Sequence, residues 1–178
     1  METPNNKYLN IKLFLSDVDG VLTDAGMYYT EAGDELKKFS TLDGGGFILL
    51  KYAGIKTGLL TTEKTRIVER RSKKLKIDYL IQGASDKLRS FEELLNRSGM
   101  EAEEVAYIGD DINDIPVLKR AGVSASVPNH CLPSDVQLDY VTTRPGGGGA
   151  VREFAEWLLE RRGEYELALS MYLKTRSV

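Results

Sequence analysis

Two carboxylates stand two residues apart in Asp17-Val18-Asp19-Gly20-Val21-Leu22-Thr23-Asp24, directly after an apolar run over residues 11–16. Average residue usage gives the pattern D-x-D-G-x-x-T a chance expectation on the order of 10⁻⁵ per position. One carboxylate of such a pair can attack phosphorus while the other shuttles a proton, and both offer hard oxygen ligands to Mg²⁺. Three features extend the pattern: Thr61 after the run 57–60, Lys87 in Ser85-Asp86-Lys87, and Gly109-Asp110-Asp111-Ile112-Asn113-Asp114 after the run 105–108. A hydroxyl and an ammonium can hold phosphoryl oxygens, and an acidic cluster can supply the rest of a metal shell. Lys87 alone reads as a solvated surface lysine. In order with the other three features it belongs to a phosphoryl-transfer pattern.

These residues need elements to place them. Residues 11–16 suit a short buried strand that stops at Asp17, and further strands are expected over 57–60, 79–81, 105–108 and 123–127. Helices are expected over 47–53, 64–76, 88–97, 112–121 and 150–162. Alternating strands and helices predict an α/β domain with a doubly wound, Rossmann-like parallel sheet, whose strand ends carry the ligand. Tyr28, Tyr29, Leu36 and Phe39 flank the turn Glu31-Ala32-Gly33-Asp34, which predicts a β-hairpin at about 26–40 protruding from the sheet. Asp43 reads as an N-cap before Gly44-Gly45-Gly46. Gly146 to Gly149 read as a break, and Val151, Phe154, Ala155, Leu158 and Leu159 as one helical stripe, with Trp157 on the same helix. The tail at about 163–178 is open to a helical reading or to docking elsewhere.

The chain has 178 residues, enough for a single domain spanning 1–178. With 24 Lys+Arg against 27 Asp+Glu, no global basic excess points to nucleic acid or an anionic membrane. The single cysteine, Cys131, allows no intramolecular disulfide, and residues 1–10 show no basic-then-apolar signal pattern, so a cytoplasmic location is expected. His130, beside Cys131 in an expected loop, lacks the partners of a metal site.

The four motifs resemble those of the haloacid dehalogenase superfamily of phosphohydrolases, in order and spacing, over about residues 13–114. The resemblance implies that Asp17 is the nucleophile forming an aspartyl-phosphate and Asp19 the general acid/base. Thr61 and Lys87 would bind the phosphoryl group. Asp17, the backbone carbonyl of Asp19, and Asp110 would hold Mg²⁺, while Asp111 and Asp114 would position Lys87 or metal-bound water. Only 41 residues separate Asp19 from Thr61 and only 25 separate Thr61 from Lys87, so neither gap accommodates a separate cap domain. A capless site is open, and the hairpin is an oligomerisation edge through which a neighbour could supply the missing cover.

A closer resemblance covers residues 13–159. It rests on the Asp17–Asp24 motif, Asp43-Gly44-Gly45-Gly46, Ile67-Val68-Glu69-Arg70-Arg71, Gln82-Gly83, Asp86-Lys87 and Gly147-Gly148-Gly149-Ala150-Val151-Arg152-Glu153. Together these are similar to the 3-deoxy-D-manno-octulosonate 8-phosphate (KDO 8-phosphate) phosphatase family. That likeness implies a capless, Mg²⁺-dependent homotetramer assembled through its hairpin and acting on a sugar-acid phosphate. It also implies that Glu63, Arg71 and Lys74 contact the sugar acid, and that the chain beside the glycine run can reach a neighbouring subunit's site. Octulosonate phosphatases usually read T-G-R where this chain reads Thr61-Thr62-Glu63, and the branch acting on nine-carbon acids, the sialic acid type, usually reads T-G-E. Glu63 therefore points to the nine-carbon branch, and Thr62 departs from both patterns. On a helix over 64–76, Arg71 shares the inward side of Ile67 and Leu75, where it either meets an anion or snorkels from the stripe edge. An alternative of a different kind is a non-catalytic oligomerisation domain like that of some sialate cytidylyltransferases, whose signature would be a damaged set of motifs. Asp17, Asp19, Thr61, Lys87, Asp110 and Asp114 are all present.

Overall fold

The computed structural model describes residues 7–175. Residues 1–6 of the polar start and the last three residues of the expected tail lie outside them. In chain order the strands are β1 Leu13–Ser16, β2 Tyr28–Tyr29, β3 Glu35–Leu36, β4 Lys56–Leu60, β5 Tyr79–Ile81, β6 Val105–Ile108, β7 Val123–Ser126 and β8 Tyr140–Val141. The helices are α1 Leu42–Tyr52, α2 Arg66–Leu75, α3 Lys87–Ser98, α4 Ile115–Leu118, α5 Ala150–Arg161 and α6 Tyr165–Lys174. Six strands form one sheet in the order β5-β4-β1-β6-β7-β8, with every neighbouring pair parallel. β2 and β3 pair separately as the expected antiparallel hairpin.

The alternation within β1 shows why the sheet is covered on both faces. Phe14 packs against Phe47 of α1 and Phe154 of α5, with ring centroids at 6.1 and 5.1 Å. Leu13 and Leu15 point the other way, into a cluster with Phe91 and Leu94 of α3, Tyr107, and Val117 and Leu118 of α4. Each fully buried side chain of this kind contributes about 1.5–3 kcal/mol. Burial on both faces favours an uninterrupted apolar run, which is what distinguishes the 13–15 segment in the sequence.

Three expectations about elements are corrected. α1 starts at Leu42 rather than after the glycines, so Gly44, Gly45 and Gly46 lie inside the helix and Thr41 occupies the N-cap position. The approach of α5 accounts for glycine inside the helix: a Cβ on Gly45 would fall 1.9 Å from Arg152 Nη1, and one on Gly46 would fall 2.9 Å from Arg152 Cα. Asp43 is thus not the cap. It is buried in the first turn and accepts a hydrogen bond from the Arg152 backbone N–H at 3.2 Å. The segment expected as one helix over 112–121 is a 3₁₀ turn at Ile112–Asp114 followed by the single turn of α4, with Pro116 near its start. β8 was not expected, because two residues are too few to show a period. Residues 163–175 resolve the open reading of the tail as α6, which packs on α1 with Ala168 buried and Tyr172 edge-on to Tyr52.

Candidate active site

The chain leaves β1 to build β4 and β5 on one side, then crosses to β6 on the other. The sheet therefore reverses its winding between β1 and β6, where a crevice opens at the strand ends. The Asp17 N–H donates to Ile108 O at 2.9 Å, carrying the ladder one residue past β1. The chain then turns sharply, with the N–H groups of Leu22 and Thr23 donating to Val18 O. Gly20 makes this turn possible at φ +91°, and a Cβ there would fall 2.0 Å from Asp110 Oδ2. The glycine between the two acidic loops is what lets them touch.

Lys87 is the first residue of α3, fixed by Asp86, whose carboxylate caps the helix by accepting from Arg89 N at 3.0 Å. Its ammonium lies 2.8 Å from Asp17 Oδ1 and 2.6 Å from Asp114 Oδ1, with the side chain 1 % exposed. Asp114 Oδ2 accepts from the backbone N–H groups of Asp110 and Asp111 at 3.1 and 3.2 Å, and Oδ1 also accepts from the buried Tyr107 hydroxyl. Thr61 is buried at the end of β4 and accepts from Glu63 N at 3.3 Å. Asp17, Asp19, Thr61, Thr62, Glu63, Lys87, Asp110, Asp111 and Asn113 line one cavity of about 240 Å³.

Asp17, Asp110 and Asp114 each place a carboxylate oxygen within 4.8 Å of the others. Burial, reinforced by the Asp114 charge and opposed by Lys87, pushes the Asp17 carboxyl well above the usual carboxylate range. Burial and Asp114 likewise push Asp110 up to about 6. For Lys87, burial acts against the charge, but Asp17 and Asp114 outweigh it and raise its pKa. One ammonium does not neutralise three carboxylates, and Asp110 Oδ1 is buried with no hydrogen-bond partner. The oxygens of Asp114 are already taken by Lys87, Tyr107 and two backbone N–H groups, so the open positions belong to Asp17 and Asp110. An all-oxygen set with an unmet negative charge fits a hard divalent cation.

Other residues singled out in the sequence lie elsewhere. Arg71 donates to Ser40 O at 2.7 Å and lies over the Phe39 ring at 5.4 Å, and with Lys74 it lines a separate cavity of about 680 Å³ between α1, α2 and α6. Neither borders the Asp17 cavity of its own chain. The glycine run does not simply break the chain, since Gly147 N–H donates to Val21 O at 3.1 Å and so backs the Asp17–Asp24 turn. Thr62 is not among the residues with positive φ, so its departure from the family glycine brings no left-handed strain. His130 Nδ1 accepts from Leu132 N at 3.2 Å, a local contact that fits the expected loop.

Three contributors had no sequence signal. Tyr107 is one alternating residue of β6, and Ser126 Oγ, which donates to Gly109 O at 2.6 Å, is one of β7. Lys37, beside the hairpin, reaches Asp19 Oδ1 at 2.6 Å and Glu63 Oε2 at 2.7 Å. Only the packing of the hairpin over the strand ends brings that lysine in.

Residues 45–122 match the haloacid dehalogenase-like hydrolase family. The chain is 40 % identical over 159 residues to the 3-deoxy-D-manno-octulosonate 8-phosphate phosphatase KdsC of Escherichia coli K12, covering 89 % of this chain and 85 % of that one. The structure is similar to the Moraxella catarrhalis 3-deoxy-D-manno-octulosonate 8-phosphate phosphatase in complex with magnesium, phosphate and KDO. Its TM-score is 0.89 and its identity 40 %, covering 94 % of this chain and 96 % of that one. A probable YrbI-family phosphatase of Pseudomonas syringae gives a TM-score of 0.88 at 44 % identity, with the same coverage.

Proposed function

The chain belongs to the KDO 8-phosphate phosphatase family of the haloacid dehalogenase superfamily. From that premise we propose that it is a Mg²⁺-dependent phosphomonoesterase, a single phosphatase domain that removes the terminal phosphate of a 2-keto-3-deoxy sugar acid. The observation that carries this reading is the Asp17–Lys87–Asp114 set closed over Thr61 and Asp110 at the β1/β6 crevice.

Asp17 attacks phosphorus in line with the sugar oxygen, forming an aspartyl-phosphate as the phosphorus–oxygen bond to the sugar breaks. Asp19 gives a proton to the departing oxygen and then takes one from the water that hydrolyses the aspartyl-phosphate. Lys87 and Thr61 hold the phosphoryl oxygens, with Asp114 and Asp111 keeping Lys87 and the acidic loop in place. Asp17, Asp110 and the backbone carbonyl of Asp19 would hold Mg²⁺, which would supply the positive charge that lets an anionic nucleophile meet an anionic ester.

A cavity of about 240 Å³ takes the phosphate and the adjoining carbons, not a whole sugar acid. Arg71 and Lys74 line another cavity, so they reach the sugar acid from an adjacent protomer, which agrees with a homotetramer built on the exposed Met27, Tyr28, Tyr29 and Leu36 of the hairpin region. Glu63, inside the Asp17 cavity, favours a nine-carbon acid. The names of the relatives favour a second reading, the eight-carbon KDO 8-phosphate. Phosphate release with Mg²⁺ from nine-carbon and eight-carbon sugar-acid phosphates, measured in parallel with Asp17→Asn as the blank, separates the two. Faster turnover of the eight-carbon ester would reverse the assignment, and no release from either would revive the oligomerisation-domain reading.

A further inference from the structure

Lys37 follows β3 directly, and its side chain is only 2 % exposed. Its ammonium donates to Asp19 Oδ1 at 2.6 Å and to Glu63 Oε2 at 2.7 Å, while Glu35 Oε1 at 3.6 Å lies beyond hydrogen-bond reach. Asp19 Oδ1 is also the acceptor of the Thr23 hydroxyl, at 3.4 Å. Asp19 Oδ2, by contrast, is buried with no hydrogen-bond partner. Asp19 borders the Asp17 cavity, and with Oδ1 engaged by Lys37 and Thr23, Oδ2 is its one oxygen without a partner and so the one left to carry a proton. A buried lysine that spans two carboxylates also fixes their spacing, because its stem has lost its rotamer freedom.

We infer that Lys37 is a positioning residue for the proton transfer: it clamps Asp19 by Oδ1 so that Oδ2 meets the leaving oxygen, and it ties Glu63 to the same carboxylate. This rests on the phosphatase reading above. In the first half-reaction the bond from Asp17 to phosphorus forms, the bond from phosphorus to the sugar oxygen breaks, and the proton on Asp19 Oδ2 passes to that oxygen. In the second, water adds to phosphorus, the aspartyl bond breaks, and the water proton returns to Oδ2. Lys37 keeps its protons throughout. Since it is carried by the hairpin, the geometry at Asp19 depends on how the hairpin is seated.

The test compares two esters. A sugar-acid phosphate is an alkyl ester whose departing oxygen needs a proton, whereas p-nitrophenyl phosphate releases a stabilised phenolate that does not. Wild type, Lys37→Met and Lys37→Arg are compared by kcat/KM with Mg²⁺, which reports the steps up to loss of the leaving group. For Lys37→Met, kcat/KM on the alkyl ester should fall on the order of 10²-fold and on the aryl ester only about threefold, with Lys37→Arg recovering part of the alkyl loss. Equal losses on both esters, or no loss on either, would overturn the inference. If Lys37→Met does not fold, Lys37→Arg carries the comparison, because it keeps the charge and changes the reach. Wild type releasing no phosphate from either ester would sink the phosphatase reading itself, a result distinct from equal losses.

Discussion

Lys87 is where the chemistry and the stability of the site meet. Its ammonium sits between Asp17 and Asp114, both almost wholly buried. Removing it leaves two buried carboxylates without their shared cation, so Lys87→Ala should lower the stability of the metal-free protein by about 3–5 kcal/mol, read by urea unfolding. Excess Mg²⁺ should restore part of that loss, because a cation that binds only the folded chain stabilises it. Gly20 offers a different test at the same scale. Gly20→Ala puts a methyl group within 2.0 Å of Asp110 Oδ2 at a φ of +91°, so the two acidic loops must part. Calorimetry should show Mg²⁺ affinity weakened about tenfold or more, in the range that misplaced ligand support costs.

The packing of α1 on α5 explains an element the sequence misplaced and leaves a measurable trace. Asp43 is buried there, and burial, offset by the Arg152 backbone N–H and by Arg71, pushes its carboxyl up to about 6 from an ordinary value of 3.8. The folded state therefore holds a proton that the unfolded state has released between about pH 4 and 6, so this group's contribution to stability falls as pH rises through that window. Above it, the charged carboxylate costs roughly 2–3 kcal/mol relative to the neutral form. Asp43→Asn should remove that slope, with the wild-type-minus-variant difference in unfolding free energy changing across pH 4 to 6, and should stabilise the protein by about 1 kcal/mol at pH 7.5. A difference that is flat across the window would show that Asp43 stays ionised in the fold.

For the whole molecule, the hairpin is both the cover of its own site, through Lys37, and an exposed apolar edge. Tyr29 and Leu36 are 65 % and 57 % exposed. If the proposed homotetramer is built on this edge, a Tyr29→Asp, Leu36→Glu double variant should sediment as a smaller species than wild type, since charge on an exposed apolar surface opposes its pairing with a second copy. In the same variant KM for the sugar-acid phosphate should rise, if Arg71 and Lys74 of a neighbour hold the far end of the substrate. Unchanged size would remove the hairpin from the assembly. No helix among the described residues is long and apolar enough to cross a membrane.

The sequence by itself determined the parts of this protein that depend on local pattern. Short apolar runs announced β1, β6 and the end of β4 because two-sided burial favours continuous apolarity, and Asp17, Asp19, Thr61 and Asp110 stood out because they follow strand ends, with Lys87 in order between Thr61 and Asp110. Tertiary structure decided whatever depends on an approach between distant segments. Gly45 and Gly46 lie inside α1 where α5 takes the space a Cβ would fill, Asp43 is buried rather than a cap, and Arg71 donates to Ser40 O outside the Asp17 cavity of its own chain. Tyr107 and Lys37 join the site only when β6 and the hairpin are in place. The physical reason is the same in each case: a period or a motif is written in neighbouring residues, whereas a hydrogen bond across tens of residues exists only once packing has brought its two ends together.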